Sequence, residues 1–471
     1  LSGLSHGDLG RIGGILFAAA TLAMIPAEYT GSTVAYATAG VCTVLGLAAF
    51  FGRVTWSRRV YVLIGVALLV LCIALLSEWQ GVAWRAVKQA AFITGFFTAL
   101  TAIRSAASGS PAIAECGRFL AGQPPGRRYL ALTLGGHLFG LVLSYGALTL
   151  LGGLATESVA KETDAELRGH RARRMLLAIQ RGFVSCLTWS PLGFAMVISS
   201  SVVPGARWSD VIVVCLGSTA LLVGIGWALD TAFKPRLSQP APSRGPAEGR
   251  WIRNLRPLLI LLGILFASVA GIHVLTDVRV VGVVLSVAPV IALVWAVLQP
   301  AAPGAGAHLR HAGRRAGGFV TAELPLYGSE MVLLIMAAVI GTLGSALLAP
   351  VVAASGLDLG QVPVPLMLIA IVWLIPVAGQ LGMNPILAVS LFAPLLPTPE
   401  AMGIAPAAVI VAMTGGWAIS GATSPFTAST LLIAKMGQVS AVHAGVRWNG
   451  AYAVCSAIAI SGWAILVAWM L

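Results

Sequence analysis

Apolar runs of about 20 residues follow one another along the whole chain, parted by short segments that hold nearly all the charge. A helix of that length crosses about 30 Å of hydrocarbon. The runs fall at 11–27, 32–52, 60–77, 88–108, 129–155, 176–203, 209–233, 256–275, 280–299, 330–354, 364–398, 405–436 and 448–470. Of the 471 residues, 58% are hydrophobic and only 10% charged, whereas soluble domains carry roughly a quarter charged residues. The chain therefore reads as an all-α polytopic membrane protein whose first partner is the lipid bilayer. Its net charge of +13 would suggest nucleic acid in a soluble protein. Here the basic residues sit between apolar runs, where membrane orientation explains them, and no RNP, zinc-finger or helix-turn-helix pattern occurs. Cys42, Cys72, Cys116, Cys186, Cys215 and Cys455 are scattered with no CxxC pair, which argues against a disulfide framework or a cysteine metal site. No cleavable signal peptide is evident.

Two stretches do not fit one simple crossing. Residues 129–155 are interrupted by Gly135, Gly136 and Gly140, and 364–398 holds Gln380-Leu381-Gly382-Met383-Asn384-Pro385 in its middle. Each is read as a re-entrant hairpin with two short arms rather than a kinked single helix. Irregular backbone at that depth is tolerated where protein or a wet cavity satisfies it. Charge chooses between the readings. With both hairpins, the N-terminus, 53–59, 109–128, 156–175, 234–256, 300–318 and 436–447 lie on the cytoplasmic side. Of the 29 Lys and Arg, only Arg85, Lys88, Arg207 and Arg279 then fall outside. Making either stretch a full crossing scatters the basic linkers over both faces, against the positive-inside rule. The expectation is about eleven transmembrane helices plus two hairpins in an inner (plasma) membrane, N-terminus cytoplasmic and C-terminus outside.

The two halves resemble each other. Gln180 to Pro191 aligns with Thr414 to Pro425 without a gap, matching Gly182 with Gly416 and Ser190-Pro191 with Ser424-Pro425. Gly109-Ser110 aligns with Gly344-Ser345, and Gly136-His137-Leu138 with Gly379-Gln380-Leu381. In this topology the halves enter from opposite sides, the inverted-repeat pattern of many secondary transporters. The expected organisation is an extra N-terminal helix at 1–31, a first repeat at 32–235, a cytoplasmic linker at 236–255 and a second repeat at 256–471.

Chemistry should gather at the breaks. Ser190-Pro191 and Ser424-Pro425 read as mid-membrane helix restarts, because Pro suits the first helical position and Ser is a preferred N-cap. Asn384-Pro385 repeats that logic in the second hairpin. A restarted half-helix aims free N–H groups at the protein centre and favours an anion there, while unwound carbonyls suit a coupling Na⁺. The candidate substrate-binding set is Ser185, Thr188, Ser190, Ser420, Thr423, Ser424 and Thr427 from the breaks, with His137, Gln380 and Asn384 from the hairpins. For His137, proton carriage, substrate contact and simple hydrogen-bonded packing all stay open. Arg181 either draws anions inward or snorkels its head to the interface. Glu323, Glu330, Asp230 and Glu115 lie near span ends and read as solvated. No acidic residue falls in the middle of a span, as a cation antiporter would need, and no HExxH, GxSxG, P-loop or paired catalytic carboxylates occur.

The broken segments Ser185 to Pro191, Gly379 to Pro385 and Ser420 to Pro425, set among eleven spans and two hairpins, resemble the ion transporter superfamily. This superfamily includes divalent-anion/sodium symporters and the large membrane subunits of TRAP transporters. The divalent-anion symporters carry Ser-Asn-Thr signatures at hairpin tips. This chain has only Asn254, Asn384 and Asn449, and only Asn384 falls at a candidate tip. The resemblance implies an elevator-type secondary transporter of a small organic anion, carboxylate-like, with no cofactor beyond coupling Na⁺ or H⁺, working as a homodimer. Two other readings remain: an exporter or antiporter of another small solute on the same scaffold, and a membrane enzyme or structural subunit without transport activity.

Overall fold

The structure is a computed structural model that describes residues 6–234, 250–298, 305–356 and 359–471. Among these residues it is helical with no strands. The first four helices are α1 (His6–Thr30), α2 (Thr33–Phe51), α3 (Trp56–Leu75) and α4 (Trp79–Ser108). Then come α5 (Pro111–Ala121), α6 (Pro125–Leu143), α7 (Tyr145–Ala160), α8 (Ala165–Cys186), α9 (Phe194–Val202) and α10 (Trp208–Ala232). The second half holds α11 (Trp251–Thr276), α12 (Val280–Leu298), α13 (Ala305–Gly318), α14 (Gly328–Ala354), α15 (Val364–Gln380) and α16 (Pro385–Phe392). It closes with α17 (Pro406–Thr423), α18 (Ala428–Met436) and α19 (Gly450–Met470).

Local signals explain the ends. Gly31 leaves α1 at a φ of 68°, a conformation that costs glycine little, and Ser32 then caps α2 by accepting from the Ala35 N–H at 3.3 Å. Asp164 caps α8 by accepting from the N–H groups of Glu166 and Leu167. Among the described residues, ten helical runs are long and apolar enough to cross a membrane. The eleventh expected span is α8 with α9. It falls short of a continuous apolar run because Arg168, Arg171, Arg173 and Arg174 occupy the first half of α8 and the helix is broken after Cys186. Lipid is the evident solvent. On α3 only 11% of the most apolar window is buried, and Leu63, Val66, Val70 and Leu75 stand exposed, an apolar surface that water would not tolerate.

The chain forms two compact units, and each draws on both halves of the sequence. The first comprises Leu1–Ala107, Leu265–Asp358 and Val389–Leu396. Within it, Arg279 on the rim of α12 holds Glu28 of α1 bidentately at 2.6 and 2.7 Å, its guanidinium 4.8 Å over the Phe92 ring. The second comprises Ser108–Ile264, Leu359–Ala388 and Pro397–Leu471, and holds every candidate site residue. There α6 and α7 pack on each other and on α8, while α15 and α17 pair closely.

Two expectations about linkers and hairpins change. The glycines at 135, 136 and 140 do not break the first hairpin. They lie inside α6, and the chain turns at Ser144, at a φ of 50°. The glycines serve packing instead, because a helix lets a bare backbone face pass close to a neighbour without ceasing to be a helix. Most of the polar stretch 300–318 is the helix α13. The linker 236–255 lies largely outside the described residues.

Candidate functional site

Both breaks in the second unit are built to one plan. After α8 ends at Cys186, Ser190 Oγ accepts from the Leu192 N–H at 3.2 Å, and α9 begins at Phe194. After α17 ends at Thr423, Ser424 Oγ accepts from the Phe426 N–H at 3.3 Å, and α18 begins at Ala428. Neither serine is an N-cap, contrary to the sequence expectation. Gly193 and Thr427 hold those positions. A residue before Pro is driven to extended backbone, and each serine hydroxyl here closes a turn, with regular helix beginning only four residues on, at Phe194 and Ala428. Ser424 is indeed extended, at φ −67° and ψ 124°. At Asn384 the expected start does form: its Oδ1 accepts from the Ile386 N–H at 2.8 Å, with Pro385 first in α16.

A directional hydrogen-bond chain surrounds the first break. Trp208 Nε1 donates to the Trp189 carbonyl at 2.7 Å, and Trp189 Nε1 donates to His137 Nε2 at 3.1 Å. An indole N–H can only donate, so the His137 proton sits on Nδ1, which faces Ser185 Oγ at 2.9 Å. Ser185 Oγ passes its own proton to the Gly182 carbonyl at 2.7 Å. Thr188 Oγ1 lies 2.7 Å from Thr219 Oγ1 and donates to the Ser185 carbonyl at 3.0 Å. His137 is thus held neutral, and protonation at Nε2 would set two N–H groups against each other.

Glycines bring the helices close enough for this. A methyl group at Gly136 would lie 3.0 Å from the Phe183 nitrogen and nearer still to the Ile179 carbonyl, and one at Gly182 would meet the Thr133 backbone. At the second break, Gly379 faces Ser420 and Ser424, and Ser424 Oγ donates to the Gly379 carbonyl at 2.7 Å. The breaks also meet one another. Gly421 lies against Val184 and Leu187, and Gln180 Nε2 donates to the Ala422 carbonyl and to Thr430 Oγ1, each at 3.2 Å.

The residues that join these parts were not in the predicted set. Asn449, fully buried before α19, donates from Nδ2 to Gln180 Oε1 at 3.0 Å and to the carbonyls of Ala422 and Ala444 at 3.2 Å each. Its Oδ1 accepts from Arg181 Nε at 3.1 Å. Arg181 does not snorkel: it is 5% exposed, bonds Tyr129 Oη at 3.2 Å and lies 4.7 Å over the Tyr452 ring. Among the described residues it has no carboxylate within ion-pair reach. The nearby Asp230 pairs with Arg174 at 2.6 and 2.8 Å, its side chain only 9% exposed rather than solvated. The available signal was the scarcity of Asn: each of three in so apolar a chain has a strong claim to a buried partner.

Ser185 and Thr188 therefore cluster with His137. Ser424 joins Gly379, and the buried Ser420 Oγ has no hydrogen-bond partner among the described residues. Thr423 Oγ1 back-bonds to Ile419 at 2.8 Å, and Thr427 Oγ1 donates to the Ser424 carbonyl at 2.9 Å. Ser190 is 2% exposed beside Pro191. Gln380 is exposed at the end of α15, whereas His137 sits within α6, so the two aligned residues occupy different places in their helices.

The sequence matches no family model and no curated protein. Two solved structures share the fold over nearly the whole chain. The YdaH transporter of Alcanivorax borkumensis is 14% identical, with 87% of this chain and 98% of that one covered at a TM-score of 0.52. MtrF of Neisseria gonorrhoeae, described within a class of antimetabolite efflux pumps, is 15% identical, with 89% and 96% covered at a TM-score of 0.53. At these identities the likeness is one of fold, and the chain is a multi-pass helical membrane protein with a fold that known transporters use.

Proposed function

We propose that this protein is a secondary active transporter of a small organic anion, belonging with the ion transporter superfamily that its broken segments resemble. The supporting observation is the meeting of two broken helices through Gln180, next to a buried Arg181 that has only neutral partners. An ionisable group at membrane depth is costly and marks function more often than scaffolding. Its uncompensated charge, with hydroxyls and first-turn N–H groups at the two breaks, favours a negative solute in a low-dielectric setting. Ser185, Thr188, Ser190, Ser420, Thr423, Ser424 and Thr427 line the proposed site, with His137, Gln380 and Asn384 supplied by the two hairpins. The hairpins re-enter the membrane in two inverted repeats and move with the breaks in an elevator motion coupled to Na⁺ or H⁺. His137 acts in this scheme as a neutral positioning group. The protein sits in the inner membrane as a homodimer, N-terminus cytoplasmic and C-terminus outside.

The test is uptake into proteoliposomes of radiolabelled small carboxylates, organic cations and sugars, with Na⁺ and pH gradients applied separately. Carboxylate uptake driven by one gradient is expected. Uptake or thermal stabilisation by cations alone, unchanged in Arg181→Gln, overturns the reading. A second reading, an exporter, rests on the description of MtrF as an efflux pump. Reversing the imposed gradient and following release from preloaded vesicles separates the two.

A further inference from the structure

The first unit contains a cavity of about 210 Å³ that transport chemistry does not use. It lies among α1, α4, α12 and α13 and owes its existence to small side chains: seven of its lining residues are alanines, among them Ala18, Ala102 and Ala292. Its polar content is confined to a few groups. Thr98 is 4% exposed, and its Oγ1 has no hydrogen-bond partner among the described residues. One turn away on each side, Thr94 and Thr101 bond the carbonyls of their own helix at 2.9 and 2.8 Å, so the orphan hydroxyl is particular to the wall of the cavity. Arg315 of α13 also lines it and makes no ion pair among the described residues. Leu22 and Leu293, exposed by 69% and 47%, stand at its rim on the apolar flank of the unit.

Walls that are mostly apolar favour an apolar ligand. Its rim consists of side chains of the kind lipid solvates. At one side, Ala312, Arg315 and Ala316 present one face of α13, with Arg314 exposed beside them. This helix belongs to the polar stretch that the charge pattern assigns to the cytoplasmic side, where anionic lipids attract basic residues. We propose that the cavity holds one acyl chain of an anionic phospholipid, whose headgroup phosphate pairs with Arg315. The chain fills space that the alanines leave open. The ester carbonyl is an acceptor of the type that Thr98 lacks. Charge complementarity selects an anionic over a zwitterionic headgroup.

The full-length protein in dodecyl maltoside is titrated with phosphatidylglycerol or with phosphatidylcholine of identical chains, and bound lipid is counted by native mass spectrometry alongside thermal melting. One tightly held phosphatidylglycerol is expected, preferred about fivefold over phosphatidylcholine, the factor that one cation near the surface supplies. Arg315→Gln should remove that preference yet keep a bound lipid. Ala292→Phe and, independently, Ala18→Leu should remove the lipid while melting no lower than the wild type, since each fills the space itself. Equal binding of the two lipids to the wild type overturns the proposal. So does phosphatidylglycerol retained in both filled variants. A disulfide-linked dimer of Leu293→Cys in native membranes, with lipid binding absent, would assign the face to a second copy instead.

Discussion

Gly182→Ala adds a single methyl group and should disable the first break. The methyl carbon would lie 2.8 Å from the Thr133 carbonyl carbon and 2.9 Å from its Cα, and closer still to the carbonyl oxygen. Carbon atoms pack at about 3.5–4.0 Å, so α6 and α8 must part by about 1 Å. The obstacle is backbone, which no rotamer change can remove. His137 and Ser185 lie one turn further along the same two helices, 2.9 Å apart. Separation by that amount takes them past hydrogen-bond reach. Overpacking costs about 1–3 kcal/mol, and a lost buried hydrogen bond adds about 1 kcal/mol. Together they give about 2–4 kcal/mol, against a helix-propensity gain of at most about 1 kcal/mol. Gly224→Ala is the control, since nothing lies within 4 Å of the added methyl on α10. The assay is thermal melting of the purified protein followed by fluorescence-detected size exclusion, with uptake measured in parallel. Gly182→Ala should melt well below wild type with uptake lost, and Gly224→Ala should do neither. Equal melting of the two variants, with uptake intact, would refute the close packing of α6 on α8.

Asn449→Leu should lower the melting temperature clearly, because it strands Arg181 Nε and Gln180 Oε1 at about 1–3 kcal/mol each; adding Arg181→Met should restore part of the loss, and strictly additive effects would contradict a shared network. Ser424→Ala should impair both melting and uptake more than Ser190→Ala, since only Ser424 also bonds the far helix through Gly379, a difference of about 1 kcal/mol. The pH profile of uptake should survive His137→Gln, because both ring nitrogens are engaged in the neutral form; a shifted profile would return His137 to the role of proton carrier. Single-cysteine labelling from outside should mark 398–404 and leave 234–256 unmarked, and labelling of both from one side would remove the two-hairpin topology.

Much of the architecture was legible because the bilayer imposes a length on every helix that crosses it. Spans, helix class and the broken segments near 190 and 424 were all readable from runs, prolines and polar interruptions. The hairpin turn at Ser144 was not, since glycine serves two purposes. A run such as Gly135-Gly136 signals either a broken helix or a smooth contact face, and only the presence of α8 against it decides. The same ambiguity misplaced the helix restarts. Ser-Pro is an N-cap signature in isolation, but here each hydroxyl closes a turn and the chain runs four residues on before helix restarts, at Phe194 and Ala428.

The sequence by itself determined that this chain lives in a membrane, spans it many times, and interrupts two of its helices at matched Ser-Pro pairs. These are local or compositional properties, read within a window of about 20 residues. Only the tertiary structure decided that Gln180, Arg181 and Asn449 form one buried network, with more than 260 positions separating the first and last. It also decided that Trp189 and Ser185 between them set the tautomer of His137. Partnerships of this kind depend on which backbone faces approach, and that approach is governed by glycines and neighbouring helices distant in the chain. A polar side chain in an apolar run announces that it needs a partner, and the packed fold alone supplies it.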